Sequence, residues 1–383
     1  MTLIQRIVLI LLLICGAPPT AAWAATSTTE VPVRVGVLLP LTGEFAAWSE
    51  GIRRSIELVA EAKGARFVFE FEDEGNCEAQ KAVAGFKKLI WGGSHFIMVG
   101  CLAGTKAILP IAKEEQVLLL SAGLVDDSAF HQSTQLINLA TQISTESRYL
   151  AARVLSRGFK RVATIHWEDP FSNEFAETLA RELAARGLRT LAREAVDPKE
   201  VDYRPVLLRI KKFNPDAICF NVGQDQQGIL LRQAQGLGIE VPFFSVYGFE
   251  TPSILDLGSV LANVEYSFPM NSAEASPEKI DFDRRFQERF GAGARPTSNS
   301  YFVQDGLILL NQAIRHCTAP DPACVGKFFK NTRHYSGLSG DISFRSDGSN
   351  DRPYGIKKVE NHRFVWVVRD ADRFQPIKKF GEL

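Results

Sequence analysis

No surplus charge is available to draw in a polyanion: the 383-residue chain sets 44 lysines and arginines against 44 aspartates and glutamates, with six histidines. That balance excludes the broad electrostatic footprint of a nucleic-acid-binding chain. Long charge runs and low-complexity tracts are missing too. After the first few residues there is no uninterrupted apolar run of 18, the length a membrane-crossing helix needs. The sequence also lacks the short motifs of catalysis. No G-x-G-x-x-G follows the first strand, no phosphate loop occurs, and no Gly-x-Ser-x-Gly elbow carries a nucleophile. His166 and Asp169 follow a strand, where catalytic groups often sit, but no nucleophile accompanies them; His166 is expected in a loop lining a cleft. Asp126 and Asp127 read as a solvated or helix-capping pair. Cysteines are few, six in all, and none has zinc spacing to a histidine. An enzyme, a cofactor and a metal are therefore not expected.

What is present begins with an export signal. Arg6 gives a positive start, Ile7 to Ile14 is a short apolar core, and Ala22-Trp23-Ala24 is an A-x-A cleavage site. Residues 1–24 are expected to be a signal peptide and the mature chain to start near Ala25, in the periplasm. Lipidation at Cys15 is the alternative. Export makes disulfides admissible. Of the five cysteines beyond the signal, Cys219 lies in the apolar run Ala217 to Phe220 and reads as a buried free thiol. Cys317 and Cys324 flank a short proline-containing loop that a bridge would close, which leaves Cys77 and Cys101 for each other.

The stretch from Val33 to Ala60 organises the rest. Val33 to Leu39 is apolar apart from Arg34 and Gly36, the pattern of a strand buried on both faces. Pro40, Thr42 and Gly43 break it. A helix follows, with Ile52, Ile56 and Val59 on one face. The unit recurs: strands are expected over 66–72, 95–99 and 117–120, and helices over 78–90 and 105–115. A second series follows, with helices over 148–156, 174–186, 203–211 and 226–235 and strands over 162–165, 188–196, 216–222 and 242–246. Short β-loop-α connections imply parallel sheets with right-handed crossovers. Two such series imply two lobes with a cleft between them. The tail changes rhythm, with helices over 280–290, 300–316 and 325–329, then strands over 354–358 and 364–368.

In this order the segments VRVGVLLPLTGEFAAWSEGIRRSIEL, EDEGNCEAQKAV, PIAKEEQVLLLSAG, HWEDPFSNEFAETL, ILLRQAQGLG and SGLSGDISFRSDG resemble the substrate-binding proteins of branched-chain amino-acid-type ABC transporters. The resemblance implies an α/β fold of two doubly wound parallel-sheet lobes joined by a three-strand hinge, the type I periplasmic-binding fold. Lobe 1 is then 25–142 plus 270–337 and lobe 2 is 143–269 plus 338–383, with crossings near 140–144, 267–271 and 336–340. It implies the Cys77–Cys101 bridge at the edge of the ligand site. It also implies a small-molecule ligand captured by lobe closure, delivery to an ABC membrane permease, and a monomer; a ligand-sensing protein on the same fold is the alternative.

The resemblance further implies ligand contacts at Trp48, Leu102, Ala103 and Gly123 from lobe 1. Val125 completes that set, and Phe171, Gln224 and Tyr247 face it from lobe 2. Trp48 and Phe171 keep the aromatic cover. The polar anchors of an amino-acid binder are replaced: Leu102 stands for a serine, Val125 for a threonine, and Tyr247 for the glutamate that holds the ligand ammonium. A different pairing places Thr105 in the hydroxyl role and Glu250 or Asp225 in the carboxylate role. The N-terminus of the 105–115 helix remains able to bind an anion. A buried ammonium without its carboxylate costs several kcal/mol. The expected ligand is therefore less zwitterionic and more apolar or aromatic than leucine.

Overall fold

The computed structural model describes residues 32–62, 66–269, 276–317 and 319–368; the expected signal peptide, Cys15 and the last fifteen residues lie outside them. The first βα series is β1 (Val33–Leu39), α1 (Ala46–Ala60), β2 (Phe67–Asp73), α2 (Ala79–Trp91), β3 (Phe96–Val99), α3 (Leu102–Glu114), β4 (Leu118–Ser121), α4 (Asp127–Gln132) and β5 (Leu136–Asn138). Its five strands form one parallel sheet in the order β2-β1-β3-β4-β5. In β1 only Arg34 is exposed. Val35, Val37 and Leu39 pack on one face with Ile52 and Ile56 of α1, and Leu38 packs on the other with Phe86 and Leu89 of α2. Period-two alternation with both faces covered is what a near-continuous apolar run means in a parallel sheet.

The second series is α5 (Ile143–Ser156), β6 (Arg161–Trp167), α6 (Pro170–Ala185), β7 (Arg189–Val196), α7 (Arg204–Lys212), β8 (Ala217–Asn221), α8 (Gln224–Gly236), β9 (Phe243–Ser245) and β10 (Val264–Pro269). The parallel part of its sheet runs β7-β6-β8-β9-β10, the order of the first sheet repeated. Two later strands, β14 (Tyr354–Glu360) and β15 (Arg363–Val368), extend it antiparallel beyond β10. In each sheet the strand order reverses at one point, between β1 and β3 and between β6 and β8. Loops at the carboxyl ends of strands part there and leave a crevice. The fold is thus the expected α/β arrangement of two doubly wound lobes.

The crossings between lobes differ in part from the expected ones. The first series passes into the second over 139–142. At the second, Ser267 sits inside β10 with its hydroxyl on buried Glu146; β10 ends at Pro269, and the rest of the expected span lies outside the described residues. The third is displaced. After α9 (Pro277–Phe290), α10 (Ser298–His316) and α11 (Pro322–Asn331), the hairpin of β11 (Tyr335–Gly337) and β12 (Gly340–Phe344) stays with lobe 1. Ile342 and Phe344 of β12 pack into the same cluster as Val35 and Phe329. Asp305 of α10 anchors the hairpin by accepting from the Leu338 and Ser339 N–H groups. After β13 (Asn350–Asp351) the chain crosses at Arg352 and Pro353. Residues 338–351 therefore belong to lobe 1, not lobe 2 as expected.

Arg352 ties the crossings together. It is fully buried, donates to the carbonyls of Leu139 and Ala140 and to the Ser339 hydroxyl, and lies over the Phe302 ring. Asn350 donates to the carbonyls of Asn138 and Ala140. A buried guanidinium is tolerable only when its donors are met, so the outgoing and returning strands are held in fixed register at the hinge.

The candidate ligand cleft

The walls of the cleft come from the four strand ends at the two reversal points. After β1 lie Phe45 and Trp48; after β3, Cys101, Leu102 and Ala103; Trp167 ends β6, with Asp169 and Phe171 beyond it; Asn221 ends β8, with Gln224 beyond it. Leu124 and Tyr247 close it from the ends of β4 and β9. The cavity is about 270 Å³, room for one small molecule. Phe45 and Trp167 meet across it edge to face, ring centroids 5.7 Å apart. Leu102 and Leu124 of lobe 1 also pack into the apolar cluster of lobe 2.

Both tryptophans pack close to glycines. A Cβ on Gly223 would fall 1.9 Å from the Trp167 ring, and one on Gly123 would fall 2.1 Å from the Gly100 carbonyl and 3.3 Å from Trp48. Only glycine permits this approach. The Trp167 indole N–H donates to Gln226 Oε1 at 3.2 Å, and Gln226 donates onward to the Pro198 carbonyl. The ring is therefore held in place in the cavity wall.

The polar groups are arranged differently on the two sides. On lobe 1, α3 starts at Leu102 with Cys101 as N-cap and no side-chain cap. The N–H groups of Leu102, Ala103 and Gly104 then lack intrahelical acceptors, and the positive end of the helix points at the cleft. The Cys101 N–H is taken by Glu74 Oε1 at 3.1 Å. Glu74 is buried, and that burial, helped by neighbouring Asp73, pushes its carboxyl up to about 8. It is neutral at pH 7 and leaves the helix end positive. The Cys77–Cys101 bridge, Cα atoms 5.4 Å apart, pins this turn, and Cys317–Cys324 pairs as expected while Cys219 is free and buried.

On lobe 2, Asp169 caps α6. Its Oδ1 accepts from the Phe171 and Ser172 N–H groups at 2.9 and 3.1 Å, while Oδ2, also buried, has no hydrogen-bond partner. Burial raises its pKa against the opposing hydrogen bonds from Ser172 and Phe171. Tyr247 has its polar atoms occupied at the hinge: its N–H donates to Glu146 and its hydroxyl to Asn299. It offers the cavity a ring, not a free hydroxyl. Glu44, Asp169 and Asp225 line the cleft, and among the described residues no Lys, Arg or His does.

Six of the residues expected to touch ligand line the cavity: Trp48, Leu102, Ala103, Phe171, Gln224 and Tyr247. Gly123 and Val125 do not. Gly123 supports Trp48 from behind, and Val125 is buried in the lobe 1 core, bridged to Gln142, so that Leu124 between them faces the cleft. Thr105 is 1% exposed and sits a turn too deep for the hydroxyl role. Glu250 is committed to Lys357 and the Tyr266 hydroxyl. His166 is not a cleft-lining loop residue; it is inside β6, bonded to Asn173. Phe45, Trp167 and Asp169 are wall residues that sequence reading did not assign. The signal was there for two of them, since Trp167 ends a strand and Asp169-Pro170 is a helix-start pair.

A cleft between two lobes, built from strand ends at both reversal points, is the site of a ligand-capturing protein. A sequence model described as periplasmic binding protein matches residues 32–363, and the chain belongs to that family. Its relatives are binding proteins rather than enzymes. Leu/Ile/Val-binding protein homolog 2 of Brucella abortus (strain 2308) is 21% identical over 346 residues, 88% of this chain and 92% of the relative. A leucine binding protein of Thermotoga maritima superposes with a TM-score of 0.78 at 20% identity, over 89% of this chain and 99% of that one. A solute binding protein from R. palustris in complex with 4-hydroxybenzoate gives 0.77 at 17% identity, over 88% and 96%.

Proposed function

We propose that this is the periplasmic solute-binding component of an ABC transporter, which captures one small organic acid with an aromatic or apolar body and presents it to a membrane permease. Closure of the lobes on the ligand is the mechanism, with the ligand favouring the closed state by its higher affinity for it. The protein acts as a monomer without a cofactor. The observation that carries this reading is the cleft itself: five aromatic side chains from both lobes, two of them packed close to glycines, beside an uncapped helix N-terminus. The rings bury an apolar body, and the N–H groups of Leu102 and Ala103 suit a carboxylate. Tyr247 offers no charge to an α-ammonium. Structural neighbours have been solved with isoleucine, benzoate and 4-hydroxybenzoate, so the fold serves both ligand classes.

The test is a thermal-shift panel on the mature protein with leucine, valine, aliphatic acids, benzoate and ring-substituted benzoates. A ligand at 100 times its Kd adds about 2.7 kcal/mol. Stabilisation by aromatic acids and none by leucine or valine is expected. A shift with leucine or valine alone overturns the specificity proposed.

A further inference from the structure

We propose that Glu146 is a positioning residue for ligand capture: in its protonated form it holds together Tyr247 of the cavity wall and the chain ends of lobe 2 that lead to lobe 1. The inference rests on closure around a small molecule, and not on which molecule that is.

Glu146 lies in the first turn of α5, just after the chain enters lobe 2, and none of it is exposed. Its Oε1 accepts from two groups, the Ser267 hydroxyl near the end of β10 and the Tyr247 N–H at 3.3 Å. Oε2 makes no hydrogen bond. The Tyr354 hydroxyl, at the start of β14 directly after the crossing at Arg352, acts on the carboxyl electrostatically from outside bonding geometry. One side chain thus joins the start of α5, the end of β10, the start of β14 and the cavity wall. Tyr247 lines the cavity. It is tied to lobe 2 by its N–H and to lobe 1 by its hydroxyl, which donates to Asn299 of α10 at 3.1 Å.

Glutamine would accept both hydrogen bonds and has nothing to titrate. What the acid adds is a proton. Burial pushes the Glu146 carboxyl up to about 7, against the hydrogen bonds from Ser267 and the Tyr247 N–H. Of the titratable groups on elements packed against this end of α5, Tyr247 and Tyr354 act on it, and among the described residues no group of α6 does. The cations nearby are engaged elsewhere: Arg153 and Arg157 of α5 pair with Glu265, Lys357 of β14 pairs with Glu250, and Arg352 acts on Asp305, Tyr354 and Tyr247. Loss of the proton leaves an uncompensated buried charge, which favours a looser, hydrated hinge over the closed one. Closure on a ligand and protonation of Glu146 therefore favour each other, since coupling between two binding events is reciprocal.

The experiment is calorimetric titration of wild type and Glu146→Gln with benzoate and with leucine, neither of which changes charge between pH 6 and pH 8. Glutamine keeps the acceptor for Ser267 and Tyr247 and removes the proton. In wild type, affinity for the probe that binds should fall about 3- to 10-fold from pH 6 to pH 8, with a fraction of a proton taken up per molecule bound, read from two buffers of different ionisation heat. In Glu146→Gln both effects should shrink; Glu74 titrates in both proteins and cancels in the comparison. The same pH slope in both proteins overturns the inference and makes Glu146 a structural residue only. Binding of leucine and not benzoate, with the slopes as stated, upholds Glu146 and overturns the specificity proposed above. If neither probe binds, X-ray scattering from the ligand-free proteins decides: the radius of gyration of wild type should rise from pH 6 to pH 8 and that of Glu146→Gln should not, and equal behaviour overturns the inference. If Glu146→Gln does not fold, Glu74→Gln decides: proton uptake that persists there with a midpoint near pH 7 upholds Glu146, and uptake lost with Glu74 overturns it.

Discussion

Glu74 gives a quantitative test of how the α3 terminus is kept positive. In the unfolded chain its carboxyl has the ordinary value of 4.5; in the fold, burial pushes it up to about 8. Between these values the folded state holds a proton that the unfolded state has released, so stability falls as pH rises through that window. Each pH unit across the gap costs about 1.4 kcal/mol. The penalty is about 1 kcal/mol at pH 5, about 3 at pH 7 and about 4 at pH 8. Glu74→Gln keeps the acceptor for the Cys101 N–H and has no proton to hold. The variant should therefore gain on wild type as pH rises, by about 3 kcal/mol between pH 5 and pH 8. Urea titrations of both proteins at each pH, with disulfides intact, measure the difference directly, and other titrating groups cancel in it. A second readout follows from position. Above pH 8 an ionised Glu74 puts negative charge beneath the anion site, so a carboxylate ligand should weaken in wild type and not in Glu74→Gln. A stability difference that does not change with pH would refute the reasoning, because it would mean that Glu74 is ionised in the fold at pH 5 already.

Two other perturbations probe the walls. Gly223→Ala sets a methyl group 1.9 Å from the Trp167 ring; overpacking of this kind costs about 1–3 kcal/mol, and the displaced indole should weaken ligand binding as well. A variant that melts and binds like wild type would show that Trp167 is not held against the backbone. Replacing both Cys77 and Cys101 by serine opens a loop with a sequence separation of 24, for an expected loss of about 3.5 kcal/mol by chain entropy. The same change at Cys317 and Cys324, separated by seven, should cost about 2.5 kcal/mol. Only the first pair should lower ligand affinity, since only Cys101 caps α3; calorimetry and urea titration on the two variants separate the effects.

Several features of this protein are set by local sequence. The apolar run of β1, the repeated strand-turn-helix rhythm and the cysteine positions each follow from burial periodicity, turn residues or spacing, and they give the α/β class, two lobes and both disulfides. Helix starts are less legible. α3 begins three residues before the apolar periodicity does, and α6 begins four before, because the first turn of each faces the cleft and not the core. Those turns are where the site is, so hydrophobic patterning is blind to it. The short strand β5 is missed for a similar reason: three residues carry too little pattern.

Tertiary structure alone decides which loop residues face each other. Gly123, Leu124 and Val125 are consecutive, yet one supports a tryptophan, one lines the cavity and one is core, and only the path of the chain after β4 distinguishes them. The third crossing moves from 336–340 to Arg352 because Asp305 and Phe329, far away in sequence, hold the β11–β12 hairpin on lobe 1. Asp169 reads in sequence only as an acid that follows a strand. That it stands in the wall of a cavity lined from both lobes depends on how the two lobes meet, and contacts at that range leave no trace in local spacing.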